Sequence, residues 1–187
     1  MGSDKGLVTL AGKPLVQHVI DGLGALAGEV LITTNRPEDY AGFAARTARD
    51  ADPGAGALTG LLTALEAAAG DPVLVVACDM PFASRPLAEH LLRLSAEADA
   101  VVPQVKDEFE PLFAVYRRNC AAAIRRALDA GQRRVISFFP DVRLRAVTAA
   151  EVQAIEPDPG CFFNVNTPAD LAEAEQRWRA AGAKETP

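Results

Sequence analysis

The chemistry of this sequence gathers where its apolar runs stop. Pro72 through Ala77 is an unbroken apolar stretch rich in valine, and it breaks at Cys78-Asp79-Met80-Pro81. Apolar continuity without alternation predicts a strand buried on both faces of a parallel sheet. A carboxylate at the carboxyl end of such a strand sits where open α/β sheets bind their ligands. It is also a hard oxygen donor of the kind Mg²⁺ takes, so Asp79 reads as a metal ligand. The bland reading is an aspartate that caps the next turn. Asn35 and Arg36 close the preceding strand and Asp50 closes a weaker one, so these polar ends are expected to share one sheet edge. Lys5, beside Asp4 and ahead of Gly6, is either a surface lysine or a point charge for a phosphate. Lys13 has a weaker claim of the same kind. Gly56, just before a helix, makes a loop and also lets backbone amides approach a phosphate or base. Arg133 and Arg134 open a short helix, where cations oppose the helix dipole; the pair points to a nearby anion or is simply solvated.

The elements that must position these residues alternate. A short extended piece at Leu7–Leu10 and a turn at Ala11–Lys13 precede a helix from Pro14, whose Leu15, Val19, Leu23 and Leu26 recur at helical spacing. Glu29–Thr34 is a strand, 37–46 a short helix and 47–50 a weak strand. Asp52-Pro53-Gly54 punctuates a loop over 51–56, and Leu58, Leu61, Leu62 and Leu65 predict a helix over 57–69. Beyond the Pro72 strand, a helix at 86–96 leads to a strand at 100–105. Lys106-Asp107-Glu108 then turns tightly into 109–116, an antiparallel addition to the parallel sheet. Helix 119–130, a second short helix holding Phe138, a strand at 142–147 and an extended segment at 160–166 follow. Thr167-Pro168 opens the last helix as N-cap and first-turn proline, and the tail after Gly182 is expected to fray. Strand–helix alternation predicts one α/β domain, three-layered and doubly wound, around a mostly parallel Rossmann-like sheet.

Composition narrows the classes. The 187 residues suit one domain, and a formal charge of −6 argues against nucleic-acid binding. No run is long enough to span a membrane and no signal-peptide pattern opens the chain, so a cytoplasmic location without membrane partners is expected. Cys78, Cys120 and Cys161 are odd in number and widely spaced, against both a disulfide framework and a zinc site. Cys78 reads as a small core residue. His18 and His90 lack metal-spaced partners and read as structural.

Taken in order, Gly2-Ser3-Asp4-Lys5-Gly6, Gly12-Lys13-Pro14-Leu15, Thr34-Asn35-Arg36, Gly56-Ala57-Leu58-Thr59-Gly60 and Cys78-Asp79-Met80-Pro81 form a motif series. It continues through Glu110-Pro111-Leu112, Gly131-Gln132-Arg133-Arg134-Val135 and Phe163-Asn164-Val165-Asn166-Thr167-Pro168. Over nearly the whole chain this series resembles the molybdenum cofactor guanylyltransferases, which have a sugar-nucleotide-transferase-like fold. The resemblance implies that molybdopterin phosphate attacks the α-phosphorus of GTP, with pyrophosphate leaving and a guanine dinucleotide cofactor formed. By family position Asp79 would hold Mg²⁺ and Lys5 would balance charge at the α-phosphate. Thr33 or Asn35 and Asp50 would contact the nucleotide, with the Gly56–Gly60 loop near the base. Arg133, Asn164 and Asn166 would lie toward molybdopterin. Molybdoenzyme acceptors or their chaperones are the implied protein partners. The chain departs from the pattern in two places. Met1 falls inside the family's opening motif, so the apolar strand and Leu-Ala-Gly-Gly-like phosphate loop that precede it have no counterpart. The expectation is a start assigned too late, or a truncated relative, and a sheet with an unpaired edge. Ala57 and Thr59 also replace the usual Pro and Ala of the base loop, which keeps a cytidylyltransferase in view. A noncatalytic molybdopterin-binding protein is the reading from outside the enzymes.

Overall fold

The structure, a computed structural model, describes residues 4–50 and 56–182. Strands β1 (Thr9–Leu10) and β2 (Lys13–Pro14) form a small hairpin, with Ala11 and Gly12 both at positive φ in its turn. Helix α1 (Leu15–Leu23) follows, then β3 (Leu31–Thr33), β4 (Arg46–Ala48), α2 (Ala57–Ala67) and β5 (Val73–Val76). Helix α3 (Arg85–Leu94) starts at Ser84, whose hydroxyl accepts the Leu87 amide. It leads to β6 (Ala100–Val105), β7 (Glu108–Phe109) and β8 (Phe113–Tyr116). Helix α4 (Cys120–Asp129), a 3-10 segment at Val135–Asp141, β9 (Leu144–Val147), α5 (Ala149–Ile155) and α6 (Pro168–Gly182) complete the chain.

The main sheet runs β5-β8-β6, with β7 and β9 both pairing to β6. Strands β5 and β6 are each antiparallel to β8, and β9 is parallel to β6, so β5, β6 and β9 point the same way around one reversed strand. The antiparallel addition is therefore inside the sheet. Its hairpin works as the sequence predicts: Lys106 and Asp107 take positive φ, as a two-residue primed turn requires. Alternate residues of the central strands feed two separate cores. Ala100, Val102, Ala114 and Tyr116 pack with α2, α4 and Phe138 on one face. Val101, Phe113 and Val115 pack with Leu23, Leu87, Leu91, Val147 and Val152 on the other. The result is the three-layer, doubly wound α/β architecture. A third small cluster joins Leu10 and Leu15 to Val165 and Ala174 of α6. Beside it, Trp178 meets the ring of His18 edge-on at 4.5 Å and lies 6.3 Å from Phe82. No helix among the described residues is long and apolar enough to cross a membrane.

Several expectations are corrected. Strand β5 is not sealed on both faces: Val73 to Val76 are all only half-buried. It ends the five-stranded sheet, and β3–β4 form a separate parallel pair, so the expected unpaired edge is present among the described residues. The helix predicted over 37–46 is only a 3-10 turn, Pro37–Tyr40. The extended segment at 160–166 begins as a 3-10 turn at Pro159–Phe162, whose preceding Asp158 caps the Gly160 amide. Helix α5 was not foreseen at all, although Thr148 and Glu151 form a reciprocal capping box at its start. The expected 51–56 loop falls largely, and the fraying tail entirely, outside the described residues.

Candidate functional site

The site begins with a turn. Asp4 caps the 3-10 segment Lys5–Leu7, its Oδ1 accepting the Gly6 amide at 3.1 Å. The same oxygen accepts the Tyr40 hydroxyl at 2.7 Å, from a phenol that is 3% exposed. Gly6 is buried in the angle between them. A Cβ there would lie 2.6 Å from the Tyr40 hydroxyl oxygen and 3.4 Å from the Cys78 side chain, so only glycine fits without displacement. The turn bearing Lys5 is thus wedged between the segment after β3 and the segment after β5.

Lys5 points to the third contributor. Its Nζ donates to Asn166 Oδ1 at 2.5 Å and stands 3.8 Å from Asp79 Oδ2. The Asp79 carbonyl accepts the Val165 amide at 2.9 Å, which ties the end of β5 to the segment before α6. Asp170 fixes that segment in turn by accepting the amides of Asn166 and Thr167, and these bonds hold its carboxyl below the ordinary range. Lys5, Asp79 and Asn166, far apart in sequence, therefore meet. Burial, reinforced by Asp79 and Asp4, pushes the Cys78 thiol up to about 12. The free thiol is therefore protonated at physiological pH.

A second group lies over α2. Gly60 is 4.0 Å, measured from the position of an added Cβ, from both Asp50 Oδ2 and Thr33 Oγ1. Thr63 donates to Asp50 Oδ1 at 3.4 Å. Gly56, at φ +97°, caps α2, and its carbonyl accepts the amides of Thr59 and Gly60. Asn35 is exposed in the turn after β3, where Thr34 Oγ1 accepts the Arg36 amide. Asn164 bonds locally, donating to the Phe162 carbonyl at 3.0 Å.

Arg133 and Arg134 do stand directly before a short 3-10 helix, Val135–Asp141, with Arg134 at its N-cap. What differs from the expectation is where the Arg133 side chain goes. The guanidinium folds back to the carbonyls of Leu128 and Gln132 at 3.1 and 2.9 Å. A cation at a helix carboxyl end is favoured by the dipole, so no anion is needed to explain it. Tyr40 and Asp4, the supports of Lys5, were missed. An aspartate ahead of a short turn is a recognisable cap, but nothing in the sequence pairs it with a tyrosine 36 residues on.

Among the described residues no group of three or more His, Cys, Asp or Glu is placed to enclose a metal. Asp79 alone, its side chain 14% exposed, faces the Lys5 corner. Mg²⁺ is commonly held by one or two carboxylates together with substrate phosphates. The donor set fits a metal that arrives with a nucleotide, not one caged by protein.

Comparison with known proteins decides the family. A family model, the MobA-like NTP transferase domain, matches residues 1–147. The chain belongs to the MobA-like NTP transferase family. Membership makes this MobA-like chain a transferase. It is 37% identical over 174 residues to a probable molybdenum cofactor guanylyltransferase of Pelotomaculum thermopropionicum, covering 93% of this chain and 85% of that one. It is 31% identical to the molybdenum cofactor guanylyltransferase of Desulfosudis oleivorans, covering 96% and 89%. Among solved structures it is similar to molybdopterin-guanine dinucleotide biosynthesis protein A of Archaeoglobus fulgidus, at a TM-score of 0.82 and 27% identity, with 96% and 92% covered. The 2-C-methyl-D-erythritol 4-phosphate cytidylyltransferase of Thermus thermophilus shares the fold at a TM-score of 0.73 and 21% identity.

Proposed function

We propose that this MobA-like chain transfers GMP from GTP to molybdopterin, releasing pyrophosphate and forming the guanine dinucleotide form of the molybdenum cofactor. The observation that carries the reading is the meeting of Lys5, Asp79 and Asn166 at one corner of the sheet. The activities for which its relatives are named supply the substrates. Nucleotidyl transfer depends on positioning and on neutralising phosphate charge, and this corner has the groups for both. Lys5 presents an ammonium to the α-phosphate region while Asn166 fixes its direction. Asp79 is the residue that would hold Mg²⁺, which when bound would neutralise charge on the phosphates. Thr33, Asn35, Asp50 and the Gly56 end of α2 form the nucleotide side. Asn164, Asn166 and Arg133 form the molybdopterin side, with Asn166 at the junction through Lys5.

The test is turnover. The chain is incubated with GTP, molybdopterin and Mg²⁺, and pyrophosphate and the dinucleotide product are measured, with CTP as competitor. Product from GTP that disappears on chelation and in Asp79→Ala is the expected result. Preferential use of CTP overturns the base assignment, and molybdopterin binding without product from either nucleotide overturns the enzymatic reading.

A further inference from the structure

We propose that Tyr40 is a positioning residue for Lys5, acting through the Asp4 carboxylate. The inference rests on the reading of Lys5 as a group that faces the transferred phosphate. Lys5 belongs to a single short 3-10 turn, and so small an element has little stiffness of its own. Its direction is set by what grips the turn. On one side Asp4 Oδ1 accepts both the Gly6 amide, from within the turn, and the Tyr40 hydroxyl, from outside it. Tyr40 is itself immobilised: it is buried, closes the 3-10 segment Pro37–Tyr40 and packs its ring against Phe43 at 5.6 Å. Burial and the Asp4 bond push its phenol well above the ordinary range, so the hydroxyl is a proton donor throughout the working pH range. On the other side Gly6 leaves no space between Tyr40 and Cys78. Cys78 adjoins Asp79, so the same contact sets the Lys5 turn against the carboxylate. The tyrosine touches no reacting group. What it fixes is the backbone from which Lys5 reaches Asn166 and Asp79.

The experiment compares Tyr40→Phe, Asp4→Ala and the double variant with the unmodified chain. Tyr40→Phe keeps the ring and deletes only the hydroxyl. Misplacing a catalytic group by about 1 Å can cost on the order of 100-fold, so kcat is expected to fall roughly 10- to 100-fold. The KM for GTP changes little. The double variant is expected to be no worse than Asp4→Ala alone, because both remove the same link. Asp4→Asn, which keeps an acceptor oxygen, recovers much of what Asp4→Ala loses. A second readout does not depend on turnover: the Cε signal of Lys5 in chain carrying ¹³C-labelled lysine, assigned with Lys5→Arg. It is expected to shift in Tyr40→Phe while that of Lys106 stays still. Lack of turnover by the unmodified chain overturns the functional reading, and the lysine signal then decides the clamp. An unmoved Lys5 signal overturns the clamp, as does a Tyr40→Phe loss that follows only the folded fraction.

Discussion

Two aspartates stand at opposite ends of like-directed strands of one sheet and have opposite circumstances. Asp79 follows the carboxyl end of β5, and Asp99 immediately precedes β6, a strand running in the same direction. Asp99 is 8% exposed and saturated. It accepts from Asn119 at 2.8 Å and from the Arg143 guanidinium at 2.8 and 3.1 Å, and it also receives the Arg143 amide at 3.0 Å. Those bonds hold its carboxyl far below the ordinary range. Among the described residues the Asp79 carboxylate has one partner, Lys5, and that at 3.8 Å. One carboxylate has spent its valences on joining β6, β9 and the start of α4. The other has oxygens left for something that arrives. The lesson is that a charge at a strand end becomes informative only when its satisfaction is counted: the well-bonded aspartate is a joint, the poorly bonded one the proposed socket.

Substitution at the two positions should separate the roles. Asp79→Asn is expected to lower turnover roughly 100-fold or more, in keeping with the several kcal/mol that a catalytic metal supplies, while its melting temperature stays close to that of the unmodified chain. A large drop in melting temperature would make Asp79 a joint as well. Asp99→Asn is expected to do the reverse. It removes the charge from a multiply bonded acceptor and should lower Tm by roughly 5 °C, leaving kcat per folded molecule unchanged.

Acid sharpens the contrast. A carboxyl held low in the folded state contributes stability above its unfolded pKa, about 3.9, and that contribution is lost as pH falls through the folded value. The Tm gap between the unmodified chain and Asp99→Asn should therefore be steady near neutrality and narrow below about pH 4. A gap that persists in strong acid would assign the effect to packing. A smaller change is expected for Asn166→Ala, which frees the Lys5 ammonium on one side: kcat should fall about 10-fold, the scale of one charge-assisted hydrogen bond. The smallest is the stability effect of Arg133→Ala, whose exposed guanidinium bonds to the Leu128 carbonyl of α4 and the adjoining Gln132 carbonyl. Its Tm should move by no more than about 1–2 °C. If its KM for molybdopterin nonetheless rises several-fold, Arg133 is a second socket residue.

Much of this architecture could be read from periodicity. The 100–105 strand matches β6 residue for residue, because its valines favour extended backbone and a tight polar turn at Lys106-Asp107 ends it. The helix periods over Leu58–Leu65 and Leu15–Leu23 place α2 and α1 for the same reason. Failures came where a local signal was overruled or overlooked. Pro37–Tyr40 stops after one turn, since Tyr40 is drawn into a contact with Asp4 that no helix period encodes. The Thr148–Glu151 capping box was legible and unread. A short helix does begin just after Arg133 and Arg134, but the Arg133 guanidinium turns back to the carboxyl end of α4, a direction that sequence order does not show. Of the site, Asp79 was visible from its strand. The convergence of Lys5 and Asn166 upon it was not, because it spans 161 positions of sequence and rests on the fold as a whole. The resemblance named all three residues but set Asn166 on the molybdopterin side, apart from Lys5 and Asp79.

The packing of Trp178 has a practical side. It is the only tryptophan in the chain, and it sits on α6, the helix that Asn166 and Thr167 lead into. Its indole rests against His18 of α1 and near Phe82, just beyond the Asp79 segment. The protein thus carries a single intrinsic fluorophore whose surroundings change if its last helix shifts on the rest of the domain. Emission can report, without any label, whether adding GTP or molybdopterin tightens or loosens the segment that carries Asn166.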